Sequence, residues 1–249
     1  MNFFSLFKRN LIFKFKKKIN IDNHNFEKNI KLEKLFSFYK TDKANFIEKE
    51  GVSGHGFSEF YEKHFLNLKE KNLKILEIGS FSGASAAAFS KYFVNSEIYC
   101  LDVNLTKFIY QSAKIFPFGI DITNQKMVKK FLEKINFEKK ISSFDIIIDD
   151  GSHLLSHQIK SLNYFFKYVK NGGFYVIEDF KFSEYFNHLK DTNELSINEI
   201  IKNIRSNQDL GSNIIHKETL ELLRKNAKYI YDYKGNKKIS DILFWQKLN

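Results

Sequence analysis

Apolar runs and amphipathic stretches alternate along the middle of the chain. The apolar runs predict β-strands at Lys74–Ile78, Glu97–Asp102, Phe116–Ile120, Phe144–Asp149 and Phe174–Glu178. The amphipathic stretches predict helices over residues 83–94, 105–114, 124–136 and 154–169. The strand-like runs lack polar alternation, which is typical of strands that helices cover on both faces. The alternation therefore predicts an α/β protein with a doubly wound, mostly parallel sheet.

The pattern changes after Asp179. Helices are predicted over residues 195–206 and 216–226, followed by two β-rich runs, Lys228–Tyr233 and Ile239–Gln246, on either side of Gly235-Asn236. A Gly-Asn pair between such runs predicts a hairpin. This hairpin would complete a seven-stranded, Rossmann-like sheet with an antiparallel strand, a reversal that ordinary nicotinamide-binding folds lack.

The segment before the first predicted strand is different in character. Residues 26–70 are predicted to be helical with loops, interrupted around residues 51–56. At 249 residues the chain can form one large domain, or one domain with an appendage. We predict a basic, Phe-rich helical extension over residues 1–35, a helical lid or substrate segment over 36–70, and the α/β domain over 71–249.

Positive charge is concentrated at the start of the chain. The net charge is +11, and residues 1–18 supply six basic residues and no acidic one. Because the remainder is far less basic and carries no zinc-ligand spacing or RNA-binding signature, no nucleic-acid partner is predicted. The single Cys100 excludes an intramolecular disulfide and fits a reducing compartment, so a cytoplasmic location is predicted.

The basic N-terminal stretch also carries apolar residues at helical spacing. In a helix, one face would hold Phe3, Phe4, Phe7, Leu11 and Phe15. One prediction is peripheral contact of residues 1–18 with an anionic membrane, at its inner face. The other is a helix that packs on its own protein or on a neighbouring subunit, and a homo-oligomer is compatible with the sequence. No apolar run approaches the ~20 residues that span a bilayer.

Acidic residues stand at the carboxyl ends of all five predicted strands. They are Glu77, Asp102, Asp121, the pair Asp149 and Asp150, and the pair Glu178 and Asp179. Ligands of open α/β sheets bind at this edge. Several buried carboxylates in one crevice repel one another and are costly to desolvate, so a cationic ligand is expected there.

The loop after the first predicted strand discriminates between nucleotide ligands. Gly79 lets the backbone approach a ligand closely, but Phe81 stands where the dinucleotide pattern G-x-G-x-x-G has its middle glycine. Pyrophosphate needs an open backbone at a free helix N-terminus, so Phe81 argues against NAD, whereas a sulfonium ligand without phosphate tolerates this bulk. Asp102 lies 25 residues after Glu77, where an acid can accept hydrogen bonds from two ribose hydroxyls.

Five segments together resemble class I S-adenosylmethionine-dependent methyltransferases. They are TDK at 41–43, HGFSEFYEKHF at 55–65, LEIGSFSGAS at 76–85, IDDGSH at 148–153 and VIEDF at 176–180. Within that class they resemble the metal-dependent sugar O-methyltransferases of macrolide biosynthesis (macrocin and mycinamicin type). The related group of rhamnosyl O-methyltransferases and cephalosporin hydroxylases is also similar.

The resemblance implies a binding site for S-adenosylmethionine. In that family the methionine end lies over the loop that matches residues 77–85, the acid matching Asp102 holds the ribose, and the turn matching Asp121-Ile122 flanks the adenine. The cofactor-binding residues implied here are Glu77, Gly79, Ser80, Phe81, Ser85, Asp102, Asp121, Ile122 and Asp149.

The resemblance also assigns Asp150, Glu178 and Asp179 to a magnesium ion, and the chemistry agrees because carboxylates suit a hard divalent cation. His153 matches the general base of the sugar enzymes, so His153 and Asp150 are the predicted catalytic residues. Structural alternatives remain. Ser152 or Asp150 could cap the following helix, and Glu178-Asp179 could begin the next one.

Four further residues are singled out without an assigned chemical role. His157 forms an i,i+4 pair with His153, which suggests zinc, but without a third soft ligand it is interpreted as an orienting or structural histidine. His55, Tyr61 and His64 belong to a matching motif, and either line a substrate or cofactor entrance or serve in local packing.

The predicted function is O-methylation of a sugar hydroxyl on a glycoside or surface glycan, dependent on S-adenosylmethionine and on Mg²⁺ or another hard divalent cation. A metal-dependent catechol or phenolic O-methyltransferase is the main alternative, because a catechol also presents adjacent hydroxyls. An NAD-binding oxidoreductase and a non-catalytic binding module are the others. The preference for a sugar rests on the resemblance.

Overall fold

The computed structural model describes residues 3–208, 210 and 214–248, with Phe3 described by its backbone alone. Residues 1, 2, 209, 211–213 and 249, which belong to the predicted parts 1–35 and 71–249, lie outside the described part of the chain. Contacts divide the chain into two compact units: residues up to Asp121 with Lys234–Ser240, and Ile122–Tyr233 with the residues from Asp241 on. The predicted boundaries after residues 35 and 70 both fall inside the first unit, so the three-part division stays a prediction.

Helices and strands alternate as the sequence predicts. The α-helices of the described residues are α1 Phe3–Phe15, α2 Leu32–Tyr39, α3 Ser58–Phe65, α4 Ala84–Tyr92, α5 Gln125–Lys139, α6 Leu155–Phe165, α7 Phe182–Tyr185, α8 Ile197–Arg205 and α9 Lys217–Lys225. Helices predicted over 83–94, 124–136, 154–169, 195–206 and 216–226 are confirmed to within a few residues. None of the described helices combines the length and apolar character that crossing a bilayer requires.

The strands form one large sheet and two short ladders. They are β1 Ile19–Asn20, β2 Phe46–Ile47, β3 Val52–Ser53, β4 Lys74–Ile78, β5 Glu97–Asp102, β6 Tyr110–Gln111, β7 Ile115–Gly119, β8 Phe144–Asp149, β9 Val169–Glu178, β10 Ile230–Lys234 and β11 Asp241–Gln246. The large sheet has seven strands in the order β10-β11-β9-β8-β4-β5-β7. The predicted fold class, a seven-stranded Rossmann-like sheet, is confirmed.

In the first unit the strands β4, β5 and β7 run parallel. Ile75 of β4 lies beside Ile98 of β5, which lies beside Ile115 of β7. All three side chains are buried, as expected for strands covered on both faces. α4 packs on α2 through Phe89, whose ring meets Phe36 edge to face at 5.4 Å.

In the second unit, β8 and β9 are parallel, while β11 pairs with β9 in the antiparallel sense, with Phe244 opposite Val176. This is the final strand reversal that the Gly-Asn hairpin predicted. Trp245 of β11 is buried, and its indole N–H donates to the carbonyl of Asn226 at 3.2 Å. This hydrogen bond holds the carboxyl end of β11 in place.

The helix predicted over residues 105–114 is wrong. Leu105–Lys107 form a 3₁₀ turn, and the chain then becomes extended into β6, which pairs in parallel with β1. Phe108 has extended backbone angles (φ −65°, ψ 123°) and is fully buried. Because Phe108 is fully buried in this extended segment, tertiary contacts override the local amphipathic pattern.

Candidate active site

The segment Glu77–Ser85, here called the glycine loop, leaves β4 and enters α4. Three of its residues have left-handed backbone angles: Gly79 (φ 85°), Phe81 (φ 42°) and Gly83 (φ 78°). Gly83 is required on two grounds, because a Cβ there would lie 2.6 Å from the Phe108 ring as well as at positive φ. The loop is therefore held tightly against the first unit, and Phe81 projects outward, with 65% of its surface exposed.

Glu77 lies under the glycine loop with none of its surface exposed. The Ser85 hydroxyl, at the start of α4, donates a hydrogen bond to its Oε1. The Ser80 hydroxyl donates to the Glu77 carbonyl at 3.4 Å. These predicted cofactor residues thus join the end of β4 to the beginning of α4.

Asp102, at the end of β5, binds the glycine loop directly. Its Oδ2 accepts the Phe81 backbone N–H at 2.8 Å, and its Oδ1 accepts the Asn104 N–H at 2.6 Å. The Asp102 carbonyl accepts the N–H of Ile120, just before Asp121, at 2.9 Å. Thus Asp102 and the segment leading to Asp121 are brought together in the first unit, while Ile122 is counted with the second.

The second unit brings three predicted residues together at the acid loops, Asp149–His153 after β8 and Glu178–Phe180 after β9. One ligand atom each from Asp150, His153 and Asp179 lies within 4.8 Å of the others. His153 Nε2 is 3.8 Å from Asp150 Oδ1, and both side chains are about one-fifth exposed. Two carboxylates and an imidazole suit a divalent cation. Glu178 is buried at the end of β9 and is not part of this group.

His153 and Asp179 have left-handed backbone angles, φ 56° and 52°. Such angles are unusual for residues with a Cβ, although His and Asp are among those that adopt them. The His153 ring lies 4.9 Å from the ring of Phe182, at the start of α7. Each acid loop therefore has a strained backbone at the residue whose side chain joins the group.

The capping alternatives for Ser152 and Asp150 are not supported. The N-cap residue of α6 is Leu154, which makes no side-chain cap hydrogen bond. Instead, Asp191 accepts the N–H of Ser156, in the first turn of α6, at 2.9 Å. Likewise, α7 begins after Lys181, beyond the Glu178-Asp179 pair.

His157 contacts the first acid loop. Its Nδ1 is hydrogen-bonded to the Ser152 hydroxyl at 2.7 Å. Among the described residues it does not join the group of potential metal ligands. These contacts support the interpretation of His157 as an orienting histidine.

Asp149, the last residue of β8, is buried beneath the first acid loop. Burial raises the pKa of Asp149 to about 6, opposed by hydrogen bonding from Ser161. The Ser161 hydroxyl of α6 is in turn hydrogen-bonded to Tyr175 Oη of β9 at 2.7 Å. Asp149 therefore belongs to a buried polar cluster that ties β8, α6 and β9 together.

Asp241, the first residue of β11, is a residue of this region that was not predicted from the sequence. Its buried carboxylate accepts hydrogen bonds from Lys181 Nζ at 3.1 Å and Tyr185 Oη at 2.8 Å. Its carbonyl accepts the N–H of Phe180, next to Asp179, at 3.3 Å. Asp241 thus fixes the end of the second acid loop. The signal in the sequence is an aspartate that begins an otherwise largely apolar strand.

The matching motifs TDK and HGFSEFYEKHF bind each other in the first unit. The His55 and Phe57 N–H groups donate to the carbonyls of Asp42 and Lys43, at 2.5 and 2.8 Å. His55 Nδ1 is hydrogen-bonded to Ser240 Oγ at 3.0 Å. Lys43 of the first motif, for which no role was predicted, is only 1% exposed.

Tyr61 and His64 of the same motif lie on α3. Tyr61 is fully buried, with its ring 5.3 Å from that of Phe89. Burial, aided by the neighbouring Lys63 charge, lowers the pKa of His64 to about 4. For these two residues the contacts favour local packing over a substrate entrance.

Comparison with known proteins relates the chain to glycoside-modifying enzymes. Mycinamicin VI 2''-O-methyltransferase of Micromonospora griseorubida is 32% identical over 155 residues, which cover 59% of this chain and 35% of that protein. L-olivosyl-oleandolide 3-O-methyltransferase of Streptomyces antibioticus is 30% identical over 159 residues, covering 59% and 36%. The matched region thus spans about a third of these curated relatives. No family model matches the chain.

Solved structures agree on the fold. MycE methyltransferase from the mycinamycin biosynthetic pathway, in complex with Mg and SAH, superposes with a TM-score of 0.63 at 22% identity, covering 88% of this chain and 55% of that one. The complex that also contains mycinamycin VI gives a TM-score of 0.62 at 20% identity, with 88% and 56% covered. The chain is therefore a homologue of sugar O-methyltransferases, built on the class I methyltransferase fold.

Proposed function

We propose that this chain is an S-adenosylmethionine-dependent O-methyltransferase that uses a divalent cation, in the first place Mg²⁺, to methylate a sugar hydroxyl. The observation that carries the proposal is the group formed by Asp150, His153 and Asp179, whose ligand atoms lie within 4.8 Å of one another. The group places two hard carboxylate ligands beside an imidazole that can serve as a base.

The glycine loop and Asp102 are the proposed donor-binding residues. Gly79, at φ 85°, is half-buried and has no side chain to keep a ligand from the backbone. Asp102 carries a negative charge at the end of β5, and its two oxygens already order the loop through backbone N–H groups. A carboxylate can accept further hydrogen bonds from ribose hydroxyls through its remaining lone pairs. Asp121, Ile122 and Asp149 remain proposed contacts.

Asp150 and Asp179 are the proposed metal ligands, with Glu178 as a third. Bound Mg²⁺ supplies Lewis-acid polarisation of a hydroxyl oxygen. Hydrogen bonds hold both acid loops: the Ser152 hydroxyl is bonded to His157 Nδ1, and the Phe180 N–H donates to the Asp241 carbonyl. Such supporting contacts keep ligands in one orientation and are costly to lose.

His153 is the proposed general base. Its ring is packed against Phe182 and stands 3.8 Å from Asp150, so a hydroxyl held beside Asp150 is within reach of the imidazole. The imidazole would take the proton as the oxygen forms its bond to the methyl carbon, because a neutral alkyl alcohol is a poor nucleophile. The bond from the methyl carbon to the sulfonium sulfur breaks in the same step, and the sulfur leaves as a neutral thioether. Holding the reacting atoms in line supplies the rest of the acceleration.

The sugar acceptor is proposed from the relatives, whose names specify methylation of glycosides. A cytoplasmic location belongs to the same proposal, since the single cysteine is a buried free thiol.

Methyl transfer measured before and after metal chelation tests the proposal. The full chain is incubated with radiolabelled S-adenosylmethionine and either rhamnosyl and macrolide glycosides or catechols. We expect label in the glycosides, loss of transfer with chelator, and recovery with Mg²⁺. Transfer to catechols alone would overturn the sugar assignment, and full activity in chelator would overturn the metal assignment.

Asp150→Asn sharpens the test, with Asp145→Asn as its control. Asp145 lies on β8, the strand that leads to Asp150, but pairs with Lys170 at 2.9 Å, away from the acid loops. We expect Asp150→Asn to abolish metal-dependent transfer while calorimetric donor binding persists. Asp145→Asn should retain activity. Equal activity of both variants would show that Asp150 has no role in the reaction.

A further inference from the structure

Helix α1 is fastened to the first unit through one face. Leu6 on this face is only 4% exposed. The Phe13 ring meets Phe108 edge to face at 6.0 Å, and Asn10 Nδ2 donates to the Gly119 carbonyl at 3.1 Å. These contacts fix the rotation of the helix about its axis, and with it which residues point outward.

The outward face carries large apolar side chains. Phe4, Phe7, Leu11 and Phe15, together called the Phe face, have exposed fractions of 77%, 58%, 47% and 79%. Their spacing of three, four and four residues places them in one stripe along the helix. Scattered single exposed apolar residues are ordinary, but a contiguous stripe on an ordered helix marks an interaction surface. The side chain of Phe3, predicted for the same face, lies outside the described residues.

Cations surround the Phe face. Lys8, Lys14 and Lys17 are exposed. Residues 1–18 contain six basic residues and no acidic residue, and so supply six of the eleven net positive charges of the chain. On the anchored helix, Lys8 and Lys14 fall within a turn of the Phe face residues, at the edges of that face.

We propose that the Phe face docks on the surface of an anionic phospholipid bilayer. Apolar residues that enter the acyl boundary, flanked by lysines that meet lipid phosphates, are the combination that interfacial helices use. At 13 residues and about 1.5 Å per residue, α1 is too short to cross a hydrocarbon core of about 30 Å, so it lies in the plane of the interface.

The positive charge of α1 argues against a second copy of the chain as the partner of the Phe face. In a two-fold contact the same patch meets itself, which would set Lys8 and Lys14 against their equivalents with no acidic residue of α1 to offset them. An anionic lipid surface neutralises the same lysines. It also accommodates exposed phenylalanines, which a purely electrostatic contact with a polyanion would leave in water.

Vesicle sedimentation of the full chain tests this docking. We expect the protein to sediment with vesicles of phosphatidylglycerol and phosphatidylcholine, weakly with phosphatidylcholine alone, and less at high salt. Phe7→Ser with Phe15→Ser should weaken partitioning at least about tenfold. Lys8→Gln with Lys14→Gln should weaken it about fivefold per lysine.

Matched controls come from helix α5. Phe137 is 79% exposed, as Phe15 is, and Phe137→Ser should leave partitioning unchanged. Lys129→Gln with Lys134→Gln makes the same change in net charge on that helix and should have little effect. Thermal unfolding of each variant verifies that these surface changes leave the fold intact.

Three results would overturn the proposal. One is equal partitioning of the wild type and the Phe7→Ser, Phe15→Ser variant. Another is loss of binding only in the Lys8→Gln, Lys14→Gln variant, which would mean polyanion binding without apolar docking. The third is a dimer in light scattering without vesicles that the phenylalanine substitutions dissociate, which would assign the Phe face to self-association.

Discussion

The glycine loop and the acid loops both bend the chain through left-handed backbone angles, but with different residues. In the glycine loop, Gly79 and Gly83 take two of the three left-handed positions. In the acid loops the left-handed positions are His153 and Asp179, side chains that are themselves part of the candidate site. In the glycine loop only Phe81 carries a Cβ at a left-handed position, whereas in the acid loops both left-handed residues carry one and are strained by it.

The two regions also differ in what holds the acids. Asp102 is fixed by two backbone N–H groups at 2.8 and 2.6 Å, so its site is ordered by the protein itself. Asp150 stands 3.8 Å from His153, beyond a hydrogen bond. Under the proposed function, main-chain hydrogen bonds order the donor-binding carboxylate, whereas a bound cation would add order to the acid loops.

Replacing His153 with Gln should have the largest effect. Glutamine keeps a polar side chain of similar reach but cannot take a proton, so kcat should fall by about 10²–10⁴-fold with donor binding unchanged. Rapid-quench kinetics and calorimetry measure the two quantities. His157→Gln is the control, because His157 contacts Ser152 and not the reacting groups. A fall in kcat as large for His157 as for His153 would contradict the assignment of the base.

Asp102→Asn tests the preorganised side of the comparison. The amide nitrogen cannot accept one of the two N–H bonds that Asp102 now accepts, so donor affinity should drop about 100-fold with the metal affinity unaffected. Asp22→Asn is the control, since Asp22 also accepts a backbone N–H, from Ala113 at 3.2 Å, before β7 begins. Unchanged donor affinity in Asp102→Asn would show that the loop is ordered by other contacts.

Asp241→Asn tests the support of the second acid loop. Loss of the carboxylate weakens its bonds to Lys181 and Tyr185, so the apparent affinity for Mg²⁺ should fall about tenfold with little change in donor affinity. Activity titrated against Mg²⁺, with calorimetry of the donor, separates the two. Asp232→Asn, which removes an ion pair with Arg205 at the surface, is the matched control. A merely structural role would leave the Mg²⁺ titration midpoint in place.

The smallest expected effect concerns the backbone itself. His153→Gly should raise the free energy of unfolding by about 1 kcal/mol while losing activity, because glycine relieves the strain at φ 56°. Gly83→Ala should lower it by about 1–3 kcal/mol, since its Cβ would meet the Phe108 ring at 2.6 Å. Denaturant unfolding measures both. If both variants changed the free energy of unfolding in the same direction, the proposed difference in backbone strain between the glycine loop and the acid loops would be wrong.

Strands and motifs were the most predictable features. β4, β5 and β8 have the predicted bounds because each is a largely apolar run with an acid at or next to its last residue. The order of those acids along the chain also follows from sequence, as do the glycines of the glycine loop. The wrong helix over residues 105–114 marks the limit, because Phe108 gains more by burial against Gly83 than by helix formation.

The sequence by itself determined the alternating α/β architecture, the reversal at the last strand and the residue types at each strand end, since these depend on local pattern and composition. Only the tertiary structure decided that Asp150, His153 and Asp179 come together, that Asp241 supports their second loop, and that the Phe face of α1 points outward. Each of these depends on contacts between residues far apart in the chain, and local periodicity carries no information about which distant partner a residue meets.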